Sequence, residues 1–182
     1  NLTAWNNISI LLFHFFITAT VTFLLALPSV LGEEVAWRGF LVPELAKFMT
    51  FTNVALTSGF LWAIWHYPLM YLGLYGNSET PIIYQLVVFG TYIMGMAMIM
   101  TYLRYKTNSL WTAVIFHASG NVFMQKFFTP LAIENANSVW FVDEFGVIPA
   151  VVVLIFAICF WKKGRKEFEN NGVHESSPSL KF

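Results

Sequence analysis

The chain has 182 residues, of which 57% are hydrophobic and only 11% are charged, whereas soluble domains carry about 25% charged residues. This composition excludes a disordered protein and an ordinary water-soluble enzyme, and the single cysteine, Cys159, excludes a disulfide scaffold. Ten basic and ten acidic residues give a net charge of zero, so no strong field attracts nucleic acid. We therefore expect an integral membrane protein that is surrounded by lipid and has no nucleic-acid partner.

Charged residues are absent from five long apolar stretches of the chain. A membrane-spanning helix needs about 20 mostly apolar residues, and the stretches lack the alternation of apolar and polar residues that strands of a membrane barrel show. The pattern predicts an all-α, polytopic membrane helix bundle with about five transmembrane helices. These helices are predicted over residues 8–31, 52–72, 82–103, 109–125 and 147–161.

The basic residues collect in the loops after the first, third and fifth predicted helices, which lie on one side of the membrane if all five helices cross it. The opposite loops carry four acidic residues and one lysine, Lys126. By the positive-inside rule, the first side is cytoplasmic, so the N-terminus is predicted outside and the C-terminus inside. The basic residues are Arg38, Lys47, Arg104, Lys106, Lys162, Lys163, Arg165 and Lys166, and the acidic ones are Glu79, Glu134, Asp143 and Glu144.

Two regions are predicted: a transmembrane core over residues 1–161 and a polar cytoplasmic tail over residues 162–182. The tail is rich in polar residues, so we expect it to be flexible and solvated. The chain begins with Asn1 rather than methionine and lacks the basic start of a signal peptide. We therefore interpret it as the C-terminal core of a longer chain from which upstream helices are missing.

The first cluster of ionisable residues lies at the end of the first predicted helix, and such residues at membrane depth are candidates for function. Glu34 and Arg38 are four residues apart, so they share a helix face and can pair. Glu33 is rotated from Glu34 by about 100° and has no local partner, which leaves it available as a general base. Because Glu33 must lie inside the bundle, we expect this helix to continue past residue 31. The alternative is a polar cluster that only marks the membrane edge.

The second candidate is His66, in the second predicted helix. Ala55, Gly59 and Ala63 form a stripe of small residues that permits close helix packing, and His66 follows three residues later. We expect His66 to face protein rather than lipid. A packing or hydrogen-bonding role without catalysis stays open as the alternative.

The third candidate is the pair formed by His117 and Asn121, which are four residues apart and lie on one helix face. Two donors directed at one point, with room beside them at Gly120, can form an oxyanion site. The alternative is a hydrogen-bonded pair that only joins two helices. Ser109 is predicted to cap this helix at its start.

The two histidines must lie at the same depth in order to act together. His66 is fourteen residues into its predicted helix, about 21 Å, whereas His117 is eight residues into its own, about 12 Å. We therefore expect the second helix to begin late, near Leu56, with residues 48–54 at the membrane interface.

Together, these three clusters resemble the motifs of the CPBP family of intramembrane proteases, which includes CAAX prenyl protease 2 and bacteriocin-processing, Abi-like proteins. The family patterns are Glu-Glu-x-x-x-Arg, Phe-x-x-x-His and His-x-x-x-Asn. They are matched here in that order by residues 33–38, 62–66 and 117–121, each on its own hydrophobic segment. The one departure is Trp62, which occupies the phenylalanine position of the second pattern.

The resemblance implies an endopeptidase that cleaves a membrane-associated substrate, such as a prenylated protein or a leader peptide. It also implies that Glu33 and His66 activate a water molecule and that two further residues stabilise the tetrahedral oxyanion. A supporting ion pair would hold Glu33 in place. The oxyanion residues are His117 and Asn121, and the supporting pair is Glu34 and Arg38.

The cofactor prediction is either none or a divalent metal such as zinc. Glu33, His66 and His117 amount to a two-histidine, one-glutamate set that is able to ligate zinc. The chain has no His-Glu-x-x-His pattern, which is the ordinary signal of a zinc protease, so we favour the metal-free mechanism.

Two other functions fit the same polar residues. The first is a non-catalytic membrane protein, such as an immunity or binding protein, in which the polar cluster is structural. The second is a transporter or ion pathway built around Glu33, Glu34 and His66, which the lack of an evident inverted repeat makes less favoured.

Overall fold

The structure, a computed structural model, describes residues 6–132 and 137–169, and its regular structure there is entirely helical. We number five long helices in chain order. They are α1 (Asn7–Leu45), α2 (Phe51–Tyr71), α3 (Ile82–Thr107), α4 (Leu110–Val122) and α5 (Val147–Glu169). Helix α4 continues through π-helical turns at Phe123–Phe128 and a last turn at Thr129–Leu131, and a short 3-10 helix lies at Ser138–Trp140.

Polar side chains begin three of these helices, as is usual for the unpaired N–H groups of a first turn. Asn6 Oδ1 accepts from the backbone N–H of Ser9 at 2.8 Å at the start of α1, and Thr50 caps α2. Ser109 accepts from the N–H of Trp111 at 3.3 Å, which confirms the predicted cap of α4. Asn108, with φ of 50°, adopts the left-handed conformation that reverses the chain between α3 and α4.

Helix α3 is the centre of the bundle and packs most extensively against α2 and α5, while α4 fills the space between α3 and the second half of α1. Small residues permit the closest approaches. A Cβ at Gly59 of α2 would lie 2.9 Å from Cβ of Ala97 on α3, and one at Gly95 would lie 2.7 Å from Val153 on α5. The small-residue stripe of α2 therefore faces α3, which brings the neighbouring His66 toward the protein interior.

Most large apolar side chains of α1 and α5 point away from the bundle, as expected for helices in contact with lipid. By length and composition, α1, α3 and α5 are the described helices that are able to cross a membrane. Helices α2 and α4, which carry the candidate histidines, are not among these three. The protein is thus an all-α membrane helix bundle, as the sequence predicts.

Helix α1 continues past residue 31 to Leu45, as expected, and contains π-helical turns at Val35–Leu41. The late start predicted for α2 is wrong, because this helix begins at Phe51 rather than near Leu56. Phe51 is buried against the rings of Tyr105 and Phe168, at centroid distances of 5.5 and 5.7 Å, so burial favours helix from the first turn.

The prediction places the start of the flexible tail at residue 162, which is too early. Residues 162–169 continue the last helix, and Phe168 anchors them by packing on Tyr102 and Tyr105. Lys106 pairs with Glu167 at 2.8 Å across the same contact. Residues 170–182, which make up the rest of the predicted tail, and Glu134 lie outside the described residues.

Candidate active site

The four residues predicted to be catalytic come from three helices and line one cavity of about 280 Å³. Helix α1 contributes Glu33, α2 contributes His66, and α4 contributes His117 and Asn121. Trp62 of α2, which is buried, lies among them. The sequence motifs are thus brought together at one place in the bundle.

Glu33 is held by Trp62. The indole Nε1 of Trp62 donates to Oε2 of Glu33 at 3.1 Å. The same indole ring lies 5.0 Å from the ring of His117 and 6.0 Å from the ring of His66, as measured between centroids. Trp62 therefore contacts all three helices, and its N–H supplies a hydrogen bond that a phenylalanine cannot make.

The protonation of His66 follows from its hydrogen bond. Its Nδ1 lies 2.9 Å from the backbone carbonyl oxygen of Trp62, which can only accept, so Nδ1 carries the hydrogen. The rings of Trp65 and Phe89 fix the imidazole from two sides, at centroid distances of 4.8 and 5.0 Å. Nε2 therefore keeps its lone pair and is able to accept a proton.

His117 is bound on both of its ring nitrogens. Nδ1 lies 2.8 Å from Oε1 of Glu34, and the same oxygen pairs with Nη1 of Arg38 at 2.9 Å. Because the carboxylate accepts, Nδ1 carries the hydrogen, and Nε2 then accepts from Nδ2 of Asn121 at 3.2 Å. His117 is able to donate to an oxyanion only after its Nε2 gains a second proton and the hydrogen bond from Asn121 to this nitrogen breaks.

The role predicted for the supporting ion pair differs from the observed contacts. Glu34 and Arg38 are fully buried, and Glu34 accepts from Arg38 and His117. Arg38 does not donate to Glu33, whose hydrogen bond comes from Trp62 instead. The reason is the rotation between consecutive helical residues, which directs Glu34 toward α4 while Glu33 faces the cavity and Trp62. The guanidinium of Arg38 stacks 4.3 Å from the ring of Trp62, so it still neighbours the Glu33 side of the site.

The predicted metal ligands do not form a metal site. Within the described residues, no three His, Cys, Asp or Glu side chains lie close enough to hold one ion. Nε2 of His117, the atom that would ligate, is taken by the amide of Asn121. Glu33, His66 and His117 therefore do not fit a shared metal ion.

Sequence reasoning missed four polar residues on the walls of this cavity: Tyr75, Tyr92, Gln125 and Glu144. Glu144 is 5% exposed and accepts hydrogen bonds from Nε2 of Gln125 at 2.8 Å and from the hydroxyl of Tyr75. Burial raises the pKa of the Glu144 carboxyl, and these two hydrogen bonds oppose the rise. The one signal in the sequence was that Glu144 lies among aromatic residues, Trp140, Phe141 and Phe145.

Comparison with known proteins shows the family to which the chain is similar. The model of the family described as "Type II CAAX prenyl endopeptidase Rce1-like" matches residues 8–123, which include the three motifs. CAAX prenyl protease 2 of Methanococcus maripaludis is 26% identical over 148 residues, which are 79% of this chain and 52% of that protein. The chain thus spans about half the length of that relative. No solved structure matches it.

Proposed function

We propose that this chain, which belongs to the Rce1-like family of type II CAAX prenyl endopeptidases, hydrolyses a peptide bond of a membrane-associated substrate. The observation that carries the proposal is the cavity shared by Glu33, His66, His117 and Asn121. A carboxylate and an imidazole lone pair meet there beside an amide donor and a second histidine. These are the groups that activation of water and stabilisation of an oxyanion require.

In the proposed reaction, Glu33 and Nε2 of His66 hold a water molecule, and one of them takes its proton as the oxygen adds to the scissile carbonyl carbon. The carbonyl oxygen becomes an oxyanion, which accepts a hydrogen bond from Asn121. His117 donates a second hydrogen bond from Nε2 when it has taken up a proton from solvent before the reaction, and it keeps that proton throughout. The carbon–nitrogen bond then breaks, and the proton taken from water passes to the leaving nitrogen. The products are a carboxylate and an amine.

The substrate class follows from the position of the site. The cavity is lined by helices of a membrane bundle, which supports a peptide or protein segment held at the bilayer as the proposed substrate, with lipid as the other partner. The name of the Methanococcus maripaludis relative, CAAX prenyl protease 2, supports a prenylated segment. A leader peptide is the other substrate that we propose to test. Nucleic acid is not a proposed partner, because the net charge is zero.

We also propose that the C-terminus is cytoplasmic. Arg104 and Lys106 lie in the last turn of α3, and Lys162 and Lys163 lie near the end of α5. Phe168 packs on Tyr102 and Tyr105, so these two basic helix ends lie side by side. Their shared side of the bundle fits the positive-inside rule.

The test is cleavage of prenylated and leader peptides by protein reconstituted in liposomes, followed by mass spectrometry. Glu33→Gln should lower kcat by about 10³-fold, because it removes a general base without removing the side chain. Glu44→Gln, on the same helix but exposed and paired with Lys47, is the matched control and should retain activity. Chelator should leave the wild-type rate unchanged. An active Glu33→Gln variant would contradict the assignment of Glu33, and loss with chelator that zinc restores would contradict the metal-free mechanism.

The second candidate function is a non-catalytic immunity or binding protein. The direct hydrogen bond between His117 and Asn121 favours it, because a structural pair that joins polar groups inside the bundle makes the same contact. Immunity that survives both Glu33→Gln and His66→Ala would support this function over proteolysis.

A further inference from the structure

The cavity is lined by a hydroxyl that the proposed mechanism leaves without a role, that of the buried residue Tyr92 on α3. Tyr92 is 5% exposed and lines the cavity together with Glu33, His117 and Asn121. Its hydroxyl has no hydrogen-bond partner among residues 6–132 and 137–169. The other tyrosine of the cavity, Tyr75, is different, because it donates to Glu144. A hydroxyl that lines a cavity and has no partner in the described protein is available to donate to a molecule bound there.

The hydroxyl of Tyr92 lies beside the α4 segment that carries the candidate oxyanion residues. A Cβ built on Gly120 would lie 3.7 Å from Oη of Tyr92. Gly120 directly precedes Asn121 and follows His117 by three residues, so the hydroxyl is at the level of the turn between them. Because Gly120 has no side chain, nothing from this position separates the hydroxyl from the turn.

The hydrogen bonds of the resting site leave few donors for a developing negative charge. His117 uses its one hydrogen on Glu34, and its Nε2 already accepts a hydrogen bond from Asn121. Asn121 therefore has one of its two amide hydrogens engaged. The hydroxyl of Tyr92 is a neutral donor with its hydrogen available in the same cavity.

We infer that Tyr92 is a further catalytic residue, whose hydroxyl donates a hydrogen bond to the scissile carbonyl oxygen as this atom becomes an oxyanion. The inference rests on the proposed function and deepens it. Tyr92 keeps its proton throughout, so it adds no proton-transfer step. Its donor is available whether His117 is neutral or protonated, and it approaches the oxyanion from α3, whereas Asn121 approaches from α4.

The test is the kinetics of Tyr92→Phe, which removes one oxygen atom and keeps the ring. We expect kcat to fall about 100-fold, the usual effect of removing one oxyanion donor, with KM and the midpoint of thermal unfolding unchanged. Tyr105→Phe is the matched control, since Tyr105 is on the same helix, is similarly buried at 7% exposure and lies outside the cavity. It should keep the wild-type kcat. A peptide phosphinate that mimics the tetrahedral intermediate should bind Tyr92→Phe about 100-fold more weakly than wild type.

A kcat within threefold of wild type would overturn the role of Tyr92, as would a loss found only in KM or an unchanged affinity for the phosphinate. Glu33→Gln, measured in the same preparation, separates this failure from failure of the proposed function. If wild type cleaves and Glu33→Gln does not, the proposed function stands whatever Tyr92→Phe shows. If wild type cleaves neither the prenylated peptides nor the leader peptides, the proposed function and the role of Tyr92 are both overturned.

Discussion

Trp62 contacts polar groups from each of the three helices that build the cavity. Its N–H donates to Glu33, its ring lies under the guanidinium of Arg38, and its edge meets the ring of His117. Its backbone carbonyl also sets the hydrogen of His66 on Nδ1. The geometry of the proposed active site therefore depends on the orientation of one buried indole.

Trp62→Phe should keep most of the packing but remove the hydrogen bond to Glu33. We expect kcat to fall about 10-fold, which corresponds to about 1.4 kcal/mol, because Glu33 loses the group that orients it. Trp161→Phe is the control, since Trp161 makes a similar hydrogen bond at 3.0 Å to Thr52 outside the cavity. Steady-state kinetics on both variants measure the difference. Equal rates for Trp62→Phe and wild type would show that the indole N–H does not orient Glu33.

The Glu34–Arg38 pair illustrates how burial assigns roles to adjacent glutamates. Glu34 is fully buried, and its Oε1 interacts with both Arg38 and His117, whereas its Oε2 has no hydrogen-bond partner among the described residues. Glu33 receives one hydrogen bond and faces the cavity. Two consecutive residues of the same type are thus separated into a positioning group and a candidate base.

At the scale of helices, the loops that precede α3 and α5 close one wall of the cavity. Tyr75 lies between α2 and α3, Glu144 lies between α4 and α5, and they are hydrogen bonded to each other. The ring of Tyr75 also packs against Phe89 and Phe145, at centroid distances of 5.5 and 5.1 Å. A buried carboxyl at this junction makes the stability of the wall depend on pH.

The pKa of Glu144 rises on folding from an ordinary value of 4.5, because the carboxyl is buried. At pH values between 4.5 and the raised pKa of the folded protein, the folded protein binds more protons than the unfolded chain. The free energy of unfolding therefore falls as pH rises through this range. A pKa difference of one corresponds to about 1.4 kcal/mol, or about 3 °C in Tm for a protein of this size. Glu144→Gln cannot ionise, so its Tm should fall less with pH than that of wild type.

The measurement is Tm from pH 4 to pH 8 in detergent. Burial also raises the pKa of Asp143, so the Tm of Glu144→Gln should still fall somewhat as pH rises. The Asp143→Asn variant measures how much of the pH dependence of Tm comes from Asp143. Parallel Tm curves for wild type and Glu144→Gln would contradict the assignment of the dependence to Glu144.

The helices could be predicted because long apolar runs without charges indicate segments within the membrane, whether they face lipid, as α1 and α5 do, or protein, as α3 does. Their ends could not, since Phe51 and Phe168 extend α2 and α5 through contacts between residues far apart in sequence. The residues that form the cavity wall could not be predicted for the same reason. Glu144 has the sequence features of an exposed loop charge, and only its contacts with Tyr75 and Gln125 show that it is buried.

At the scale of the whole molecule, the bundle has apolar surfaces outward and a small polar cavity inside. The spacing of the motifs could predict that Glu33, His66, His117 and Asn121 are candidates, and the fold brings them to one cavity. Their catalytic roles stay predictions. The spacing could not reveal that Trp62 rather than Arg38 donates to Glu33, or that Tyr92 lies beside Gly120, because these contacts depend on how separate helices pack.

The shared cavity predicts that groups from α1 and α4 act on the same transition state. A double-mutant cycle of kcat for Glu33→Gln, His117→Ala and the combined variant tests it most directly, with each variant first shown to be folded. Residues that act as a unit give strongly non-additive losses, so the combined variant should lose about as much as Glu33→Gln alone. If the two losses multiply, the groups act independently, and the single shared site is contradicted.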